Sequence, residues 1–225
     1  MIHRIVDAIY PRLCHLCEEP LIGDEEYICD LCLSRLPRTG YLNRPDNAVE
    51  QRFAGIFPFE HATSVFFYVR GNDISTLIQD FKYRNFPGLA RRLGRLAYDE
   101  LIFTDFFSDI DVIVPVPLHW TRRLRRTYNQ AEMLATGIAD RAHLPLRHLL
   151  RARMHVSQTH RTLAQRSANA RGKYYAVSCP DITTQHILLV DDVCTTGSTL
   201  TVAAEALTAA YPQARLSILT LAATV

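Results

Sequence analysis

The sequence contains no apolar stretch approaching the roughly 18 residues that span a bilayer as a helix, so no segment of it reads as a membrane span. It also lacks an excess of charge: 25 Lys and Arg stand against 23 Asp and Glu, a formal +2, so any anion must be bound by a local cluster. Without an overall basic balance or a clear aromatic-basic stripe, composition gives little support to a dedicated single-strand binder. Internal repeats and low-complexity segments are absent. The opening MIHRIVDAIYP puts Ile2, Ile5, Val6 and Ile9 on one helical face, but Arg4 and Asp7 interrupt it and it is too short for a secretory h-region. It reads as a docking helix of a cytoplasmic protein.

With 225 residues, 48% hydrophobic and 21% charged, the chain can bury a core and suits one domain of ordinary size plus a small module. Its most informative stretch is ILLVDDVCTTGST, residues 187–199. Ile187, Leu188, Leu189 and Val190 are apolar without alternation, which predicts a central parallel strand covered on both faces. Ligands of open α/β sheets bind at the carboxyl end of such strands. Thr195, Thr196, Gly197, Ser198 and Thr199 follow, and Leu200, Ala203, Ala204 and Leu207 continue at helical spacing, so the turn opens a helix. Its unpaired N–H groups and partial positive charge suit a phosphate. Gly197 clears the backbone's approach, and the neighbouring hydroxyls add donors. Asp191 and Asp192, so close to an anion, would instead accept hydrogen bonds from sugar hydroxyls, directly or through Mg²⁺. The whole suits a phosphorylated sugar. The bland alternative is a buried strand ending in an Asp-rich turn. A response-regulator receiver also has an acidic pair, but after its first strand, whereas here only about one more βα unit follows.

The stretch resembles the phosphoribosyl pyrophosphate (PRPP) motif of type I phosphoribosyltransferases over all its positions. That resemblance implies that Asp191 and Asp192 hold the ribose hydroxyls as the catalytic pair, and that Thr195, Thr196, Gly197, Ser198 and Thr199 cradle the 5′-phosphate. Purine-salvage members place an acidic residue where this chain has Thr195, which argues against purine chemistry of that kind.

Four of the six cysteines, Cys14, Cys17, Cys29 and Cys32, form CHLC and CDLC knuckles. Two CxxC pairs in a chain without an export signal predict tetrahedral thiolate coordination of structural Zn²⁺, with a redox dithiol or an iron–sulfur cluster as alternatives. With all four positions occupied by Cys, the metal would fold the module rather than perform chemistry. Cys194 reads as a small packing residue.

Residues 36–62 carry Pro37, Gly40, Pro45 and Pro58 without a sustained period and read as a linker. Residues 62–70 are β-rich and end at a Gly71-Asn72 turn; Ile74, Leu77, Ile78 and Phe81 then make a helical stripe, and a second helix rich in Leu, Ala and Arg follows Lys82, Tyr83 and Arg84. Residues 111–116 form another strand, stopped by Pro115 and Pro117. VPVPLH at 114–119 runs into Arg122, Arg123, Arg125 and Arg126, then Tyr128-Asn129-Gln130 and a helix with Met133, Leu134 and Ile138. A loop at a strand end with basic residues behind it suits pyrophosphate, although an arginine run is ordinarily a solvated face.

The string VPVPLHWTRRLRRTYNQAEMLA resembles the VPLH, Arg and NQA signature of the ComF family, competence-associated proteins with a phosphoribosyltransferase fold. Gln158, Leu163, Arg166 and Asn169 match its later spacing, and Lys82-Tyr83 its Lys-aromatic pair. Thr127-Tyr128 departs from the family's usual Gly-Phe and leaves the geometry of that turn open. The resemblance implies a pyrophosphate loop of Pro115, Val116, Pro117, Leu118, His119, Arg122 and Arg126, with Gln158, Arg166 and Lys82 grouped as flexible-loop contacts. Residues 151–172, polar and weakly periodic, read as a mobile loop that closes over ligand.

The expectation is therefore an α/β chain of type I phosphoribosyltransferase fold, an open, mainly parallel sheet flanked by helices. It divides into a zinc-binding module with docking helix at 1–40, a linker at 41–61 and the phosphoribosyltransferase-like domain at 62–225. The expected function is transfer of phosphoribosyl from PRPP to a nitrogen acceptor with Mg²⁺. The alternative is a non-catalytic protein of the same fold acting in DNA uptake, with single-stranded DNA or competence proteins as partners.

Overall fold

The computed structural model describes residues 11–118, 127–153, 173–182 and 185–224. In chain order the strands are β1 (Ala62–Phe67), β2 (Val112–Pro115), β3 (Leu150–Ala152), β4 (Tyr174–Ala176), β5 (His186–Cys194) and β6 (Arg215–Ala223). Four of them make a parallel sheet in the order β1-β6-β5-β2, while β3 and β4 pair antiparallel on their own. The helices are α1 (Asp30–Ser34), α2 (Asp73–Tyr83), α3 (Pro87–Leu101), α4 (Gln130–Ala142) and α5 (Ser198–Ala210). The open, mainly parallel sheet flanked by helices is thus present. No helix among the described residues is long and apolar enough to cross a membrane.

The unalternating β5 run is explained by two separate cores. Ile187 and Leu189 pack with Val112, Val114 and Ile218 beneath α5, while Leu188 and Val190 pack with Ile113 and Leu219 beneath α2, α3 and α4. Burying each such side chain contributes roughly 1.5–3 kcal/mol, so both faces of the 187–190 run favour apolar residues. β5 also continues past the apolar run, so the acidic pair lies on the strand itself.

Local signals set the helix ends. Gly71 turns at φ +88° and the Asn72 side chain accepts from Ser75 N at 2.9 Å, starting α2. Pro87 starts α3 where its missing N–H costs nothing. α3 and α4 touch through Gly94 and Gly137: a β-carbon at either would lie 2.1 Å from Leu134 O or 2.0 Å from Arg91 O.

The linker expected at 41–61 is instead packed. Val49 and Phe53 are fully buried, and Tyr41 and Phe57 nearly so, in the core beneath α5. Asn47 ties the segment to β1, its Nδ2 donating to Ala62 O at 3.0 Å. These apolar residues sit in and around short 3₁₀ turns at Tyr41–Asn43 and Glu50–Arg52, which leave no regular period to read. Just before them, residues 37–39 cover the outer edge of β1, with Thr39 N donating to Val65 O and Phe67 N to Pro37 O. The cysteine module is docked too, since Cys14, Ile28, Cys32 and Leu36 share the core of α2 and α3.

Candidate functional site

The period of two along β5 sends the two carboxylates to opposite faces. Asp192 follows Val190 towards α2, and there Lys82 Nζ lies 2.8 Å from its Oδ1, with side chains only 14% and 13% exposed. Asp191 follows Leu189 towards α5, and its Oδ1 accepts from Asp192 N at 2.8 Å. The pair therefore presents one carboxylate engaged with a lysine and one turned towards the helix-opening turn.

That turn runs from Thr195 to Ser198, the first residue of α5. Gly197 has φ +76°, a left-handed conformation that costs a side-chain-bearing residue about 1 kcal/mol or more. Thr196 Oγ1 lies 3.2 Å from Ser198 Oγ and Gly197 O accepts from Thr201 N, so the hydroxyls converge at the N-terminus of a helix thirteen residues long. Partial positive charge and free N–H groups collect at such an end. Behind the turn, Arg52 donates to Cys194 O at 2.8 Å and to Thr224 O at 2.5 Å, bracing the ends of β5 and β6. Burial pushes the Cys194 thiol pKa up, which agrees with a packing role.

Asp191, Asp192 and Thr199 line one cleft with Val116, Pro117 and Leu118. Pro115 ends β2 beside them, paired with Val190. The cleft is completed by Asn129, whose Nδ2 donates to Val116 O at 3.1 Å, and by Gln130, Lys173 and Tyr174. His119, Arg122, Arg126, Gln158 and Arg166 lie outside the described residues. Lys82, grouped by sequence with a flexible loop, stands instead in the last turn of α2, because the helical stripe runs through Phe81 to Tyr83. Thr127 and Tyr128, the two departures from the usual Gly-Phe, tie this turn to the end of α2: Thr127 Oγ1 bonds Asn85 Oδ1, and Tyr128 OH donates to Phe81 O.

Three contributors escaped the sequence reading. Arg52 and Phe53 come from the supposed linker, and nothing local marks them. Lys173 did carry a signal: of 25 basic residues only Lys82 and Lys173 are lysines, and Lys173 lines this cleft while Lys82 pairs with Asp192, which also lines it.

A second centre lies in the N-terminal module. The sulfurs of Cys14, Cys17, Cys29 and Cys32 all lie within 4.8 Å of one another, and those of Cys17 and Cys29 are 3.7 Å apart. Thiolates about 2.3 Å from one tetrahedral Zn²⁺ would be separated by about 3.8 Å, so the donor set fits a metal. Burial works against ionising Cys14, but the backbone N–H groups of Cys17, Cys29 and Leu16 outweigh it and bring its pKa down to about 7. Cys32 is pushed the other way by burial and by the three neighbouring thiols, a crowding that a bound cation relieves.

Residues 125–224 match the phosphoribosyl transferase domain family. Competence protein F of Haemophilus influenzae is 35% identical over 133 residues, 56% of this chain and 58% of that protein, so the match spans a little over half of that relative's length. The DNA utilization protein YhgH of Salmonella typhi is 28% identical over 203 residues, 84% of this chain and 88% of the relative, and that of Escherichia coli K12 is equally similar. The chain is thus similar to competence protein F and the YhgH proteins, and its residues 125–224 to the phosphoribosyl transferase domain. Its fold is that of the type I phosphoribosyltransferases. Among solved structures it is similar to an allosteric regulatory enzyme of purine biosynthesis (TM-score 0.42, 20% identity, 62% of this chain and 29% of that one). It is also similar to adenine phosphoribosyltransferase from Leishmania tarentolae (TM-score 0.41, 10% identity, 70% and 90% covered).

Proposed function

We propose that the protein binds PRPP at the carboxyl ends of β5 and β2 and transfers its phosphoribosyl group to a nitrogen acceptor, releasing pyrophosphate. The observation that carries this reading is the cleft in which Asp191, Asp192 and Thr199 meet Val116, Pro117 and Leu118, residues some seventy positions apart in sequence. In it the 5′-phosphate rests on the 195–199 turn, the ribose hydroxyls donate to Asp191 and Asp192, and the pyrophosphate extends along residues 115–119. The acceptor's nitrogen lone pair forms the new bond to C1 as the C1–O bond breaks and its electron pair leaves with pyrophosphate. The two carboxylates face the positive charge that develops on the ring, and the ammonium groups of Lys82 and Lys173 suit the leaving group. Mg²⁺, held by pyrophosphate and the acidic pair, would neutralise the departing charge.

The cysteine module, in this reading, holds structural Zn²⁺. Six cysteines without a disulfide suit a reducing compartment, so the cytoplasm is the proposed location.

The names of the relatives, competence and DNA utilization, support a second reading: a PRPP-fold protein that acts on single-stranded DNA or competence partners without turnover. A thermal-shift titration separates the two. Saturable, Mg²⁺-dependent stabilisation by PRPP, lost in Asp191→Asn/Asp192→Asn, supports the transferase reading, and pyrophosphate release with an added nitrogen acceptor completes it. Stabilisation by single-stranded DNA alone, falling steeply with salt, supports the second.

A further inference from the structure

The first cysteine knuckle reaches beyond its own cluster. His15, between Cys14 and Cys17, places Nδ1 2.9 Å from Asp80 Oδ2, with side chains 15% and 7% exposed. A carboxylate only accepts, so Nδ1 carries the proton. Asp80 belongs to the last turn of α2, and two residues further on Lys82 holds Asp192 at 2.8 Å. The module grips the chain just after that turn as well. The His15 ring packs edge-on against Phe86 with centroids 4.7 Å apart, and the Tyr27 hydroxyl lies where a β-carbon on Gly88 would come within 2.0 Å of it.

We infer that His15 is a positioning residue for the cleft: through Asp80 it fixes the turn from which Lys82 holds Asp192, so that metal loading of the cysteine cluster and ligand binding at the acidic pair are coupled. The inference rests on the metal and PRPP readings above. The physical reason is entropic. A lysine gives up much of its rotamer freedom when it is held in one ion pair, and it is held only where its backbone is fixed. Cys14 and Cys17 flank His15, so a metal that fixes both sulfurs adds to the His15 N–Tyr27 O hydrogen bond and the burial of Cys14 in holding the imidazole between them. By reciprocity, filling the acidic site tightens the metal site by the same factor.

The chain's two lysines make the test direct, since amine-selective labelling followed by mass spectrometry reads Lys82 separately from Lys173 without any ligand. In metal-loaded wild-type protein Lys82 should label slowly. Chelation or His15→Ala should speed Lys82 labelling at least about fivefold, the lower end of ordinary site-to-site coupling. His15→Asn, which keeps a donor near the Nδ1 position, should restore slow labelling. Elemental analysis of His15→Ala distinguishes a broken link from a lost cluster. If that variant loses its metal, Asp80→Asn breaks the same contact from outside the module. Unchanged Lys82 labelling in metal-replete Asp80→Asn, or in wild type after chelation, overturns the inference. A wild-type protein that binds no PRPP yet shows the labelling change would contradict the proposed substrate and leave the link standing.

Discussion

Phe53 fills the space in front of Gly197. A β-carbon built at residue 197 falls 2.9 Å from Phe53 Cε1, and the glycine's φ is +76°. A side chain there would have to displace a fully buried ring while adopting a left-handed backbone. Gly197→Ala should therefore lower the unfolding free energy by about 1–3 kcal/mol, measured by urea denaturation, and weaken any stabilisation by PRPP.

Asp192 and Lys82 are each mostly shielded from water, so removing one charge strands the other. Asp192→Asn should destabilise by about 1–3 kcal/mol. Adding Lys82→Met should recover part of that loss, so the double variant costs less than the sum of the singles. Additive costs in denaturant melts would show that the pair is not coupled.

Gly94 meets the backbone of α4, not a movable side-chain end. Alanine gains about 1 kcal/mol in helix propensity. Its β-carbon, however, would stand 2.1 Å from Leu134 O, and the helices can relieve this only by separating. Overpacking should win by about 1–3 kcal/mol in Gly94→Ala, a fall of several degrees in Tm.

His186 is buried at the start of β5, with Nε2 2.9 Å from Ser217 Oγ. Burial lowers its pKa from 6.5, opposed by the nearby Asp109 carboxylate. The unfolded chain takes up this proton near pH 6.5, the folded chain only at lower pH, so the contribution is complete above 6.5 and is lost as pH falls through the window below it. Stability should decline in that window in wild type and decline less in His186→Gln, as pH-dependent thermal melts would read.

The parts legible in the sequence were those written in contiguous residues. Ile187 to Val190 announced a strand covered on both faces, the hydroxyls around Gly197 announced the helix-opening turn, and two CxxC pairs announced a cluster whose sulfurs do converge. What stayed hidden depends on contacts between distant positions. Phe53 packs on Gly197 and Arg52 caps Cys194 and Thr224 from a segment whose 3₁₀ turns give no period. Thr127 and Tyr128 read as departures that left the geometry of their turn open, and their hydroxyls tie the entry of α4 to the end of α2. Lys82 could be placed near a ligand by resemblance, but its partner became visible only when α2 was laid against β5.

The most direct measurement is a crystal structure of the protein soaked with PRPP and Mg²⁺. The expected density puts the 5′-phosphate against the amides of residues 195–199, the ribose hydroxyls at Asp191 and Asp192, and the pyrophosphate beside Val116 and Pro117. A fully occupied PRPP bound elsewhere, or a cleft that stays empty at saturating ligand, would contradict the reading.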